Sequence, residues 1–550
     1  MRLIFKIAGI ELRTLFYSPV AWVIAIVFFI VCGVQFAAPL ESFASMQQFY
    51  LENKAGWEGF SSSLTRDLFS GPYSYLLKNL YLFIPLLTMG VISRDVHSGA
   101  IHLLNSSPVK IRQIILGKYL GLAAYNAIIM LPLLLLMGVG YFSIVNAEYR
   151  VLLSGLAGVY LLACTYSAIG LFISSLTNYQ VVAALLTFLV FGILSVISFV
   201  WQQFDFFRDL TYFLNISGRV DNLVNGLIST KDVGYFILII CLFLFFTIVR
   251  RRNKRESRPR YIFFSRYMLV LLVVLLLGYA GSRPGYIGYL DLSRDKINTL
   301  HPATLAALRE LDGSPLRVTL YVNLLDNSFG AGQPAARNNY LWGVWEKYLR
   351  FYPNIQFEYE YYYDVMKNDS AFFKRYKNMT VEELAQKAIA FFGLSKSLFK
   401  NPEEISRIID LSSERKRLVM ELEYKGKKAF LRTYEDQVVW PGQMQFSGAF
   451  RRLARASVPL VLFTTGHYER RIYSTGEREY GFHTGYKGSR TSLLNQGVDV
   501  DTISLSDTGI PAPATILVIA DPKTEFSAIE KERIRDYLDK GGDEIGRAHV

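Results

Sequence analysis

Seven stretches of roughly 20 mostly apolar residues, each long enough to cross a bilayer core, constrain this 550-residue chain more than any other feature. They cover 20–38, 75–92, 120–142, 155–176, 181–200, 233–249 and 267 to about 287, the last interrupted near its end by Arg283 and Pro284. A helix of that length satisfies its backbone polar groups internally, so such stretches predict membrane spans. The first follows a polar, amphipathic start and ends without a small-residue cleavage pattern, which reads as a retained span and not a signal peptide.

A formal net charge of +13 fits a nucleic-acid binder only if it gathers on a soluble face. Here it does not. Up to Ser282 there are 22 Lys and Arg against 12 Asp and Glu, whereas from Arg283 onward there are 37 against 34. The excess is densest at Arg250, Arg251, Arg252, Lys254, Arg255, Arg258 and Arg260, opposed only by Glu256. Short cytoplasmic loops collect Lys and Arg, so this segment is expected on the cytoplasmic side. Counting back six spans puts the amino terminus there too, and counting forward one span puts everything after about Tyr289 outside. The outward loops 40–73 and 201–232, rich in aromatic residues, predict interfacial helices. Charge within the spans is nearly absent apart from Lys78, near an interface, and Arg283 at the end of the last stretch, so no ion relay is implied.

All three cysteines, Cys32, Cys164 and Cys241, lie in apolar stretches. The second half therefore has no disulfide framework, no cysteine-ligated metal site and no cysteine nucleophile. From Asp291 the composition becomes that of an ordinary soluble domain in which strands alternate with helices. Strands are expected over 316–322, 355–361, 459–464, 498–505 and 514–520, and helices over 339–350, 445–456 and 525–540. A hairpin is expected between 417–424 and 429–434, and the alternation predicts a parallel α/β sheet. No Gly-x-x-x-x-Gly-Lys-[Ser/Thr] phosphate loop occurs, since Gly117-Lys118 has Arg112 at the first glycine position.

The loop after the second span runs Ser93-Arg94-Asp95-Val96-His97-Ser98-Gly99, then Ser107-Pro108, and re-enters the apolar region at Leu116-Gly117-Lys118. It resembles the ATPase-contacting segment of permeases in the exporter class of ATP-binding cassette transporters. The resemblance implies a short, rigid helix, capped by Gly99 and ended before Pro108, that a cytoplasmic ATPase pushes against. The residues it assigns to this coupling loop are Arg94, Asp95, Gly99, Ile101, Leu104, Ser107 and Pro108. The amino-terminal stretch 6–17, followed by Ser18-Pro19, fits either that family's interfacial helix along the inner leaflet or an ordinary start to the first span. The stretch Leu214-Asn215-Ile216-Ser217-Gly218-Arg219 through Asp232-Val233 resembles a subgroup of these permeases that includes those of the gliding-motility transporter and of nitrous-oxide-reductase maturation. Asp291-Leu292-Ser293-Arg294-Asp295-Lys296-Ile297 and Phe446-Ser447-Gly448-Ala449-Phe450 look like parts of the gliding transporter's Gldg-type auxiliary subunit. The whole thus resembles a fusion of the two.

These readings define an expected polytopic α-helical membrane domain of about seven spans followed by an extracytoplasmic α/β domain truncated at its carboxyl end. Its parts are a permease domain at 1–249, a basic cytoplasmic linker at 250–266, a seventh span at 267–288, an auxiliary domain at 289–543 and a tail at 544–550. That tail reads as translated sequencing-adapter DNA. The location implied is a bacterial inner membrane. The expected partners are a cytoplasmic ATPase subunit, a second copy or related permease, membrane lipid and an extracytoplasmic partner, but no nucleic acid. No catalytic residue, cofactor or metal is expected. His467 and Glu469 follow a strand of the buried type, where α/β domains place ligands, but a structural turn explains them more simply. Three functions remain open: export of a cargo, ATP-driven motion passed to an extracytoplasmic partner without transport, and a tethered ectodomain enzyme.

Overall fold

A computed structural model of the chain describes residues 2–52, 60, 63–100, 109–197, 200, 204–255, 259–283, 286–377, 379–436, 438–511 and 514–547. They form two compact units, Met1–Thr299 and Leu300–Val550.

The first unit is helical: α1 (Arg2–Phe16), α2 (Pro19–Glu52), α3 (Leu64–Thr88), α4 (Ser93–His97), α5 (Ile111–Ile129), α6 (Leu131–Ser143), α7 (Tyr149–Ser174), α8 (Gln180–Val196), α9 (Asp205–Leu214), α10 (Thr230–Arg255) and α11 (Arg260–Gly281). Among the described residues, six helical segments are long and apolar enough to cross a membrane. The expected span at 181–200 is the exception. Its helix α8 has 17 residues, about 25 Å against a core of about 30 Å, so where seven helices of spanning length are expected the described residues hold six and one shorter apolar helix. The loop expected at 40–73 is also shorter than its sequence indicates. Helix α2 continues to Glu52 as 34 residues, about 50 Å, because no glycine follows Gly33 before the helix ends and Pro39 is accommodated within it.

Helix α7 is the centre of this unit, and its small residues let neighbours approach closely. A Cβ on Gly155 would lie 2.7 Å from the Tyr73 ring, one on Gly158 would lie 2.7 Å from Val220, and one on Gly170 would strike the Thr88 hydroxyl. The Tyr73 hydroxyl donates to Leu152 O at 2.6 Å, joining α3 to α7.

Helices α10 and α11 form a hairpin whose outer ends are joined by two short strands. Strand β1 (Leu227–Ser229) pairs antiparallel with β2 (Tyr289–Asp291). Buried Asp291 accepts from Ser293 N at 2.9 Å, Ser293 Oγ at 2.5 Å and Asn298 N at 3.0 Å, while Asn298 Nδ2 reaches back to Asn225 O at 2.8 Å. Residues 289–299 consequently fold with the first unit, although their composition already resembles the second.

The second unit contains two four-stranded sheets, not the single parallel sheet that the alternation predicts. The first is mixed, in the order β4 (Ile355–Tyr362), β3 (Leu316–Asn323), β5 (Val419–Tyr424) and β6 (Lys427–Arg432). Only β3 and β4 run parallel, because the expected hairpin adds β5 and β6 antiparallel. The second sheet is parallel throughout, in the order β10 (Asp543–Arg547), β9 (Ala514–Ala520), β7 (Leu460–Thr465) and β8 (Asp499–Ser504). Residues 543–547 thus occupy an edge-strand position. The helix expected over 339–350 begins as a π-helix, Asn339–Trp345, before Glu346–Leu349 resumes α geometry. Trp345, Tyr348 and Phe446 are fully buried beneath the mixed sheet, with the Tyr348 and Phe446 rings stacked at 4.0 Å.

Candidate coupling site

Helix α4 is a five-residue helix set immediately after α3. Its start is fixed by α7: Ser174 Oγ accepts from the backbone N–H groups of Ile92 and Ser93, each at 3.1 Å, and donates to Met89 O at 2.9 Å. Its end is marked by Gly99 at φ +75°, in the left-handed region where helices commonly stop. Of the predicted coupling residues, Arg94 and Asp95 lie on this helix and Gly99 just beyond its end. Ile101, Leu104, Ser107 and Pro108 lie outside the described residues.

What holds α4 is a buried ion cluster. Lys118 of α5, 7% exposed at its side chain, places Nζ 2.8 Å from Asp95 Oδ2 and 2.8 Å from Glu11 Oε2. The same ammonium donates to Val91 O at 2.8 Å. Three donors meet three oxygens, the count an ammonium can satisfy. Arg94 Nη2 approaches Glu11 Oε1 at 3.7 Å from the exposed side, and Arg251 near the end of α10 experiences the Asp95 charge. One lysine thereby connects α1, α4 and α5.

The pairing depends on α1 packing close to α5. Gly117 and Gly121, one turn apart, face α1, and a Cβ there would come within 2.7 Å of Ile7 Cβ and 2.9 Å of Glu11 Cβ. This small-xxx-small spacing lets two backbones approach. Helix α1 is accordingly a separate element that breaks at Tyr17–Ser18 before α2, and not an extension of the first span.

Neither Glu11 nor Lys118 is singled out by the sequence, in which Lys78 stands out as the charge within the apolar runs. Helices here begin before their apolar runs, so Lys118 and Asp232 fall inside them. Asp232, near the start of α10, is likewise buried and satisfied: Ser229 Oγ donates to it at 2.7 Å, Asn222 Nδ2 at 2.9 Å, and Arg219 Nη1 lies 3.6 Å away. The Gly117-Lys118 pair, read as a span entry, was the available signal for the first cluster.

His467 and Glu469 do come together, in the turn after β7. Glu469 accepts from the His467 backbone N–H at 2.7 Å, and its Oε1 lies 3.7 Å from His467 Nδ1. On the other side His467 Nε2 is 3.3 Å from Glu530 Oε2, and the ring packs on Phe526 with centroids 4.3 Å apart. Glu530 belongs to the first turn of α14, which we define as Ala528–Asp539, after α12 (Pro302–Arg309) and α13 (Gln443–Ala454). The Ser527 backbone N–H donates to Glu530 and holds its carboxyl below the usual range. This arrangement ties the turn to a helix start. No group of three His, Cys, Asp or Glu suited to a metal ion occurs among the described residues.

Residues 5–280, half of the chain and nearly all of the helical unit, match the ABC-2 family transporter protein family. The chain belongs to the ABC-2 transporter family. It is thus an integral membrane protein and the permease component of an ATP-driven transporter. ABC-2 permeases pair with a cytoplasmic ATPase subunit and are not themselves the catalyst. The match ends in α11, before the mixed α/β unit. Against curated proteins the chain has no match.

Proposed function

We propose that this ABC-2 permease exports a cargo from the cytoplasm, and that it receives the ATPase stroke on α4 and passes it through Lys118 into α1 and α5. The observation that carries this reading is the buried Lys118 bridge to both Asp95 and Glu11. A push on an isolated five-residue helix would be lost in local bending. Fixed to two further helices by charge-assisted bonds in a buried site, the same push must move them together. The basic turn between α10 and α11 supports a cytoplasmic location for this end of the unit. In that topology the second unit lies outside, as the resemblance to a permease joined to its auxiliary subunit implies.

The test is photo-crosslinking from position 98 in native membranes containing the full chain. The expected adduct is an ATP-binding cassette ATPase. Crosslinking from position 98 only to extracytoplasmic proteins would refute the reading.

A second reading, in which motion is delivered to an outside partner, draws support from β1 and β2. Their pairing and the Asp291 bonds join the start of α10 to the segment leading to Leu300. Movement of α10 would therefore displace that segment. Stimulation of ATP hydrolysis by an ectodomain-binding protein, with no cargo present, would favour this second reading over export.

A further inference from the structure

We propose that the closed end of the α10–α11 hairpin binds one phospholipid with a net negative headgroup, its phosphate held between Arg250 and Lys254. This goes beyond the export and coupling readings and depends on neither, nor on which leaflet that end faces.

Two contacts show how the hairpin closes. The Phe246 ring of α10 meets the Tyr267 ring of α11 with centroids 5.3 Å apart, and Arg266 Nη1 donates to Asn253 Oδ1 at 2.9 Å. Phe246, Arg250 and Asn253 follow one another at intervals of four and three residues, so they form a single stripe along α10. Arg250, between two residues that touch α11, therefore lies on the side facing that helix. Lys254 is one turn farther on, its Cβ about 5–6 Å from that of Arg250, and it experiences the Arg250 charge. The two cations thus share one patch at the mouth of the groove between the helices.

The protein supplies this patch with no counter-charge. Neither Arg250 nor Lys254 has a carboxylate at ion-pair distance among the described residues, and Arg250 Nε is shielded from solvent without a hydrogen-bond partner there. Asp95 of α4, the acid that Arg251 experiences, is bonded to Lys118. Between Arg250 and Gly281 eight Lys and Arg stand against one acidic residue, Glu256, which lies outside the described residues. Like charges one turn apart on a helix repel, so the pair is favourable when an anion lies between them.

The position selects a lipid over a soluble anion. One span runs to Lys254 and the next starts at Tyr261, so the pair occupies the last turn before the apolar boundary, at the depth of the headgroups. Helix α11 is unburied along its spanning window. Its exposed Tyr261, Phe264, Met268 and Leu272, three or four residues apart, make an apolar stripe that starts at the level of the cations. Acyl chains lying along that stripe bring their phosphate to the patch. A zwitterionic headgroup brings an ammonium with it, which the two cations repel, and net charge therefore decides between lipids.

The experiment is native mass spectrometry of the full chain in non-ionic micelles, titrated with phosphatidylglycerol, phosphatidylcholine of the same acyl chains, and glycerol 3-phosphate. Phosphatidylglycerol is expected to bind about tenfold or more tighter than phosphatidylcholine, and equimolar glycerol 3-phosphate is not expected to displace it. The Arg250→Gln/Lys254→Gln variant is expected to lose the preference without unfolding at a lower temperature, since neither side chain has a carboxylate to release. Arg250→Lys/Lys254→Arg, with both charges kept, is expected to retain it. So is Lys110→Gln/Arg112→Gln, which removes two exposed cations from the start of α5. Equal binding of the two lipids, displacement by glycerol 3-phosphate, an undiminished preference in the first variant, or its loss in either of the other two would each overturn the proposal.

Discussion

Replacing Lys118 by Met tests whether the ion cluster holds the coupling helix. The substitution keeps the length of the side chain and removes the charge. It leaves two carboxylates, Glu11 at 6% and Asp95 at 17% side-chain exposure, facing each other without their shared cation. Removing one partner of a buried ion pair costs about 3–5 kcal/mol. Arg94, 3.7 Å from Glu11 and 41% exposed, can turn inward and offset part of this, so the expected loss is near the lower end, about 3 kcal/mol. Glu11→Gln is milder, about 1.5 kcal/mol, because Lys118 retains Asp95 and Val91 O, each at 2.8 Å. The triple variant Glu11→Gln/Asp95→Asn/Lys118→Met removes all three charges together and is expected to regain most of the loss. Reversible unfolding in mixed micelles, read by tryptophan fluorescence, gives the order Lys118→Met, then Glu11→Gln, then wild type. A Lys118→Met variant no less stable than Glu11→Gln, or a triple variant worse than the single, would refute the reasoning.

Gly117→Ala should destabilise the unit by about 1–3 kcal/mol through overpacking against Ile7, and should lower disulfide crosslinking between cysteines introduced on α1 and α5. Gly99→Ala meets no neighbouring atom among the described residues but carries its φ of +75°, so it should cost about 1 kcal/mol by backbone strain and leave that crosslinking intact. Burial alone would raise the Glu414 carboxyl, yet Arg432, bonded to it through Nε at 2.6 Å and Nη2 at 2.8 Å, and Lys487 at 2.9 Å hold it below the ordinary value of 4.5. Its folded value is depressed, so its contribution is present above pH 4.5 and is lost as pH falls through the folded value. Thermal unfolding from pH 7 to 3 should show this decline, and Glu414→Gln should flatten it. Trp345→Ala, at a fully buried position, should cost about 3–5 kcal/mol in a denaturant titration.

The spans are legible because a bilayer imposes length and apolarity on each helix separately, a condition that any 20-residue window can reveal. Strands β3, β4, β7, β8 and β9 are legible for a similar local reason, as short β-rich runs bounded by turns. Pairing is not local. Nothing near Lys118 announces Glu11, 107 residues earlier, or Asp95 across an intervening helix entry. The Asp232 and Asp291 bonds also join residues that acquire meaning only when two helix ends meet. The second unit divides into two sheets because the β5–β6 hairpin attaches antiparallel to β3, and strand periodicity does not specify which edge a hairpin joins. Helix α1 was ambiguous in sequence because amphipathic spacing suits both an interfacial helix and a span entry, whereas the glycines that seat it lie on α5.

The most direct measurement is labelling of single cysteines by an impermeant thiol reagent in intact cells, with Cys32, Cys164 and Cys241 replaced by serine. A cysteine in place of Lys254, in the basic turn, should react only after the membrane is permeabilised, and one in place of Lys400 should react at once. Immediate reaction at 254 with protection at 400 would put the Lys118 cluster on the wrong side of the membrane for a cytoplasmic motor and contradict the coupling account.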